Sequence, residues 1–133
     1  MKAVNALIVN ADLKNEHCLQ MPIELEIAGG SGVVFGGICM GHEEKSNDEN
    51  ENYAAHYICK VFNVVGVSSL KNMKGKPVRA IFQNEGGLGD LCIGIQNFLD
   101  FSNYFIPGNR EITIKDLEDI MEDQAWKLDY KKK

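Results

Sequence analysis

Between residues 18 and 28 the chain alternates strictly. Leu19, Met21, Ile23, Leu25 and Ile27 are separated by Gln20, Pro22, Glu24 and Glu26. A period of two places the first set on a buried face and the second in water, so Cys18–Ala28 predicts a strand. Pro22 has no N–H for a ladder hydrogen bond, which predicts a sheet edge or a bulge there. The apolar, β-branched stretch Lys2–Asp12 predicts an earlier strand, joined to this one by a polar turn. Gly29, Gly30, Ser31 and Gly32 predict a hairpin loop leading into a third strand over Val33–Met40. At its centre, Phe35-Gly36-Gly37 predicts a bulge or a close approach to the backbone.

The period then changes. Ala54, Tyr57, Ile58, Val61, Phe62 and Val65 recur at helical spacing, predicting a helix over Tyr53–Val65 with Asn50 or Asn52 as cap and Gly66 as stop. Ser68 or Ser69 caps one short turn carrying Leu70 and Met73. Pro77–Gln83 and Leu91–Leu99 predict two more strands around the turn Glu85–Asp90. Asp100–Arg110 reads as an aromatic loop. Thr113 and Asp116 form a capping box ahead of a last helix with the apolar stripe Leu117, Ile120, Met121 and Trp126. The order β-β-β-α-β-β-α has no repeated βα unit, so a doubly wound parallel sheet is disfavoured. It predicts an α+β fold: an antiparallel β-sheet with one packed helix and a C-terminal helix.

Length makes this one domain over residues 1–133, large enough to bury a core without staples. The net charge of −5 and only two arginines, Arg79 and Arg110, disfavour a duplex nucleic-acid binder. No apolar run reaches the roughly 18–20 residues that cross a bilayer, and the N-terminus does not read as a signal peptide, so a cytoplasmic protein without a membrane partner is expected. Its four cysteines, Cys18, Cys39, Cys59 and Cys92, then read as reduced core residues. Cys39-x-x-His42 and His56-x-x-Cys59 imitate a zinc set, but a long acidic spacer divides them, and no metal is expected. That spacer, His42–Asn52, reads as a solvated acidic loop, and Lys131–Lys133 as a basic tail.

No nucleophile motif, P-loop or dinucleotide fingerprint occurs, and no carboxylate pair stands out, so neither enzyme chemistry nor a cofactor is expected. His17 and His56 read as surface or packing residues. Binding remains. An anionic nucleotide asks for an aromatic face, a bidentate cation and backbone or amide donors. These gather after residue 78: Arg79, Phe82, Asn97, Phe98, Phe101, Tyr104, Phe105 and Arg110. Arg79 and Phe82, three apart on one strand, fall on opposite faces of a regular sheet.

A wider series of motifs is also present: Glu16-His17 before the alternating strand, Phe35-Gly36-Gly37, Val64-Val65-Gly66-Val67, Leu70 followed by Lys74-Gly75-Lys76-Pro77-Val78-Arg79, and Asn97-Phe98-Leu99-Asp100 followed by Tyr104-Phe105. Over about Asn5–Phe105 this resembles the Thoeris anti-defence protein 1 family of phages and prophages. In that pattern, glycine is usual where Cys18, Val34 and Gln96 stand, and tryptophan where Tyr104 stands. The resemblance implies a non-catalytic sponge in the cytoplasm of an infected or lysogenic bacterial host. Such a sponge sequesters cyclic ADP-ribose isomers made by TIR-domain enzymes. The resemblance also implies cyclic trinucleotides in separate sites, and homo-oligomers, dimers grouping into hexamers, with pockets at subunit boundaries. It assigns ligand contact to Phe35, Gly36, Gly37, Arg79, Asn97, Phe98, Tyr104 and Phe105. Phe82 and Arg110 join them on chemical grounds. The alternatives are an inhibitor touching a host protein through the acidic loop and, with less support, a phosphodiesterase-like enzyme.

Overall fold

Alternating apolar positions build the sheet from its centre outward. In the computed structural model, which describes residues 1–40, 48–84, 89–108 and 110–122 (backbone alone for 48–52), the elements run in this order. They are β1 (Lys2–Ala11), β2 (Lys14–Asn15), β3 (Leu19–Gln20), β4 (Ile23–Ile27), β5 (Gly32–Phe35), α1 (Asp48–Val65), a 3-10 turn (Leu70–Asn72), β6 (Pro77–Phe82), β7 (Cys92–Asn97), β8 (Tyr104–Phe105) and α2 (Ile114–Met121). Six strands form one antiparallel sheet ordered β5-β4-β1-β6-β7-β8, and β2 and β3 pair separately. The fold is α+β, as the sequence predicts. Among the described residues, no helix is long and apolar enough to cross a membrane.

Strand periodicity divides the core between two faces. Val78, Ala80 and Phe82 of β6 join Ala6, Ile8, Ile23, Leu25 and Phe35 against Tyr57, Val61 and Val64 of α1. On the other face, Ile81 joins Ala3 and Ile93 against Ile120 of α2. The two helices therefore sandwich the sheet, but α2 is short. Beyond it, Leu7 and Val34 remain exposed.

The local departures from expectation have physical causes. The alternating strand is cut in two at Pro22, so β3 and β4 belong to different sheets. The third strand stops at Phe35 because Gly36 takes a φ of 84°. α1 starts at Asp48, so Asn50 and Asn52 lie inside the helix and not at its cap, and the helix takes residues 48–52 from the expected acidic loop. The C-terminus of α1 behaves as expected: Gly66 has a φ of 83° and its N–H donates to the Phe62 carbonyl at 2.8 Å. β8 forms inside the stretch expected to be a loop, because Tyr104 and Phe105 complete the ladder on β7. Residues 41–47, 85–88 and 123–133, with His42, Trp126 and the basic tail, lie outside the described residues.

The α2 capping box is present. The Asp116 N–H donates to Thr113 Oγ1 at 3.1 Å, and the Thr113 N–H donates to Asp116 Oδ2 at 3.1 Å. The Thr113 backbone N–H, and after it the Thr113 hydroxyl, hold the Asp116 carboxyl below the usual carboxylate range. A depressed carboxyl pKa contributes stability above its unfolded value and loses it as pH falls through the folded value. Acidification through that range will weaken the Thr113 cap. A Thr113→Val variant, melted alongside the wild type, will show a smaller loss of stability over the same pH window.

Gly36 carries a second constraint. A Cβ there would lie 2.6 Å from Tyr57 Oη and 2.8 Å from the Met21 carbonyl oxygen. The approach to the backbone that the Phe35-Gly36-Gly37 pattern predicts is thus made by the protein's own Tyr57. That hydroxyl is buried with no hydrogen-bond partner among the described residues, and burial raises its pKa. Tyr57→Phe will be neutral or stabilising by about 1 kcal/mol, because it removes an unsatisfied polar group. Gly36→Ala will cost roughly 2 kcal/mol or more through strain and collision. Urea titrations read both. In the double variant part of the Gly36→Ala cost is relieved, since only the Met21 contact remains.

Candidate functional site

The ten residues expected to hold a ligand do not form one surface. Phe35 and Phe82 are fully buried on the α1 face of the sheet. Arg79 lies on the opposite face, 1% exposed, confirming the predicted division between Arg79 and Phe82. Phe105 packs edge-on to Tyr57, ring centroids 5.0 Å apart, while Tyr104 packs toward the α2 cluster. Gly37 faces open space and Phe98 is partly exposed. Arg110 is exposed and donates to the Gln83 side chain. Gln83 lies just past the end of β6, and a strand rises about 3.3 Å per residue, so Arg110 is roughly 20 Å from that strand's start.

Arg79 is the largest correction. In place of a ligand anion, its guanidinium binds the protein's own carbonyls. Nη1 donates to Gln96 Oε1 at 2.7 Å and to the Ile120 oxygen at 2.8 Å. Nη2 donates to the Glu122 oxygen at 2.7 Å and the Ala3 oxygen at 3.4 Å. The group also lies 3.9 Å from the centre of the Phe101 ring. Ile120 and Glu122 are at the C-terminal end of α2, where carbonyls lack intrahelical partners and the dipole favours a cation. Gln96, also fully buried, donates to the same Ile120 oxygen at 2.9 Å and to the Phe101 oxygen at 2.8 Å.

Asn97 is likewise engaged within the fold. Its amide donates to the Val64 oxygen at 2.8 Å, and its Oδ1 accepts from the Leu99 and Asp100 N–H groups at 3.0 and 2.8 Å. Asn103 donates to the Asn63 oxygen at 3.1 Å. Two asparagines thus satisfy carbonyls in the last turn of α1.

An open groove does exist, but on residues the site expectation passed over. Gly66, Val67, Ser68, Lys71, Asn72, Lys74 and Lys76 line about 510 Å³. Gly66 ends α1, the 3-10 turn carries Lys71, and Gly75 reverses the chain with a φ of 88°. Met73, fully buried, anchors this excursion, so the three lysines project from a pinned loop. Three lysines, one serine and one asparagine are among its lining residues, and no acidic residue is. Its side-chain charge is positive. No aromatic residue is among its lining.

The sequence signal for this site was Lys71, Lys74 and Lys76 within six residues of an acidic chain. The cysteine expectation also needs correction, since Cys39 and Cys59 are exposed and not core. His42, one of the four imitation zinc ligands, lies outside the described residues. Among those described, no three His, Cys, Asp or Glu side chains gather.

Truncating Arg79 removes several charge-assisted bonds and strands buried carbonyls. Arg79→Ala will therefore cost about 3 kcal/mol or more, a large share of a typical ~5–15 kcal/mol stability. Arg79→Lys will recover only part, because an ammonium cannot span the same acceptors. Single Lys→Ala changes in the groove will stay within about 0.5 kcal/mol. Equilibrium denaturation separates the two classes; a loss below 1 kcal/mol for Arg79→Ala would contradict its structural role.

In comparisons with known proteins, no family model and no curated protein matches this chain.

Proposed function

We propose that the protein binds and holds a small phosphate-bearing nucleotide of the cyclic ADP-ribose class without cleaving it. The observation that carries this reading is the lysine groove: three lysines and no acidic residue in its lining, in a chain whose net charge is −5. The overall charge repels anions at long range, so local concentration of ammonium groups is what makes binding feasible. The motif resemblance supplies the ligand class and the phage or prophage setting.

Magnitudes then constrain the form of the site. Each exposed lysine–phosphate contact contributes about 0.2–1 kcal/mol, so three give at most about 3 kcal/mol. A sponge active at nanomolar ligand needs about −12 kcal/mol. An open groove on one chain falls far short. We infer that a second copy covers the ligand in a homo-oligomer. Closure lowers the local dielectric and strengthens each charge contact. A cyclic ligand is already preorganised, which reduces the ordering cost. Cyclic trinucleotides, if bound, occupy a separate site of such an assembly.

Isothermal titration with a panel of cyclic ADP-ribose isomers and cyclic trinucleotides tests this, beside a solution mass measurement. At least one isomer will give a heat of binding, weakened by added salt. The Lys71→Ala/Lys74→Ala/Lys76→Ala variant will bind about tenfold or more weakly. Heat-denaturing the complex will return the ligand intact. Linear ADP-ribose in that extract would favour hydrolysis instead, and wild-type affinity in the triple variant would remove the groove from the site.

A further inference from the structure

Two cysteines meet where β3 faces the chain leaving β5. The Met40 N–H donates to the Leu19 carbonyl at 2.7 Å, and each cysteine immediately precedes one member of that bond. Cys18 is buried and Cys39 is exposed. Their side chains are in hydrogen-bonding contact. This contact, more than burial, raises the Cys18 pKa. Gln20 Nε2 lies 3.7 Å from Cys18 Sγ and completes the small polar setting of an otherwise buried thiol.

The other two cysteines are placed differently. Cys59 is exposed on α1, with no cysteine partner shown. Cys92 donates to the Gly94 oxygen at 3.5 Å, and burial pushes its thiol up to about 11, so it stays protonated at neutral pH. Among the described cysteines, Cys39 and Cys18 are the pair that sets an exposed residue beside a second cysteine.

We propose that Cys39 and Cys18 form a reversible intramolecular disulfide on exposure to a low-molecular-weight disulfide, with Cys39 attacking first and Cys18 resolving. In the first step the Cys39 thiolate attacks one sulfur of the oxidant, forming a mixed disulfide and expelling one small thiolate. In the second, Cys18 releases its proton to solvent, and the resulting thiolate attacks the Cys39 sulfur and expels the other small thiolate. The protein loses two protons and two electrons, and the oxidant leaves as two thiols. The product closes a covalent loop through β3, β4 and β5. It ties the Gly36–Cys39 segment to the β3 side of the molecule. Because the two side chains are already neighbours, closing the bond requires only local adjustment, and the loop constrains mainly the unfolded chain.

The test uses the full chain and oxidised glutathione as oxidant, read by intact mass, peptide mapping and thermal melting. The wild type will lose two hydrogen atoms without retaining glutathione, and mapping will join Cys18 to Cys39. Its Tm will rise by roughly 10 °C and return to the starting value on adding dithiothreitol. Cys18→Ser will trap glutathione on Cys39. Cys39→Ser will leave Cys18 unmodified. A stable glutathione adduct on wild-type Cys39, or a link from Cys39 to Cys59 or to another chain, would overturn the proposal.

Discussion

A guanidinium cannot lose its charge in a protein interior, so burying Arg79 commits everything around it. It sits 1% exposed on the sheet face opposite α1, and its donors must all find acceptors. Two come from the end of α2, one from β1 and one from Gln96 of β7. The face of Phe101 covers it. One cation therefore fixes the seat of a short helix, the Gln96 side chain of β7 and the start of the loop leading to β8. The apolar contacts of α2, centred on Ile120 against Ala3, Ile81 and Ile93, are few. The polar hub supplies the orientation that so small a cluster leaves open.

The other face follows a different logic. There α1 seats itself by apolar area, with Tyr57, Val61 and Val64 filling the space above Ile8, Ala80 and Phe82. The close approach of Tyr57 to Gly36 is a packing choice with a polar cost, since the hydroxyl has no hydrogen-bond partner among the described residues. Phe35 and Phe105 flank that ring at 6.3 and 5.0 Å, so residues that look like a nucleotide platform in sequence serve as the wall of the core. What this packing leaves outside is the turn after α1. Its Met73 is anchored inward and its lysines are displayed around the groove.

These two environments place the cations differently from the sequence reading. Arginine is the residue expected at a phosphate, because its fork is bidentate. The same fork suits several backbone carbonyls at a helix end, and Arg79 is used that way. Lysine, a mobile point charge, lines the open groove. The two arginines drew attention by rarity, whereas the informative feature was the density of lysines over residues 71–76 in an acidic chain.

Local pattern determined much of this protein. The alternation in β4, the helical spacing of Tyr57, Val61 and Val65, the Gly66 stop and the Thr113–Asp116 box each act within a few residues and were legible for that reason. The α+β class followed from their order. Tertiary structure decided the rest: which strands neighbour β1, that α2 covers the far face, and whether Arg79, Asn97 and Phe82 point to solvent or inward. Those outcomes depend on pairings across many tens of residues, such as Arg79 with Ile120 and Asn97 with Val64. A one-dimensional pattern states that a charge or a ring is present. Only the assembled neighbours determine what satisfies it.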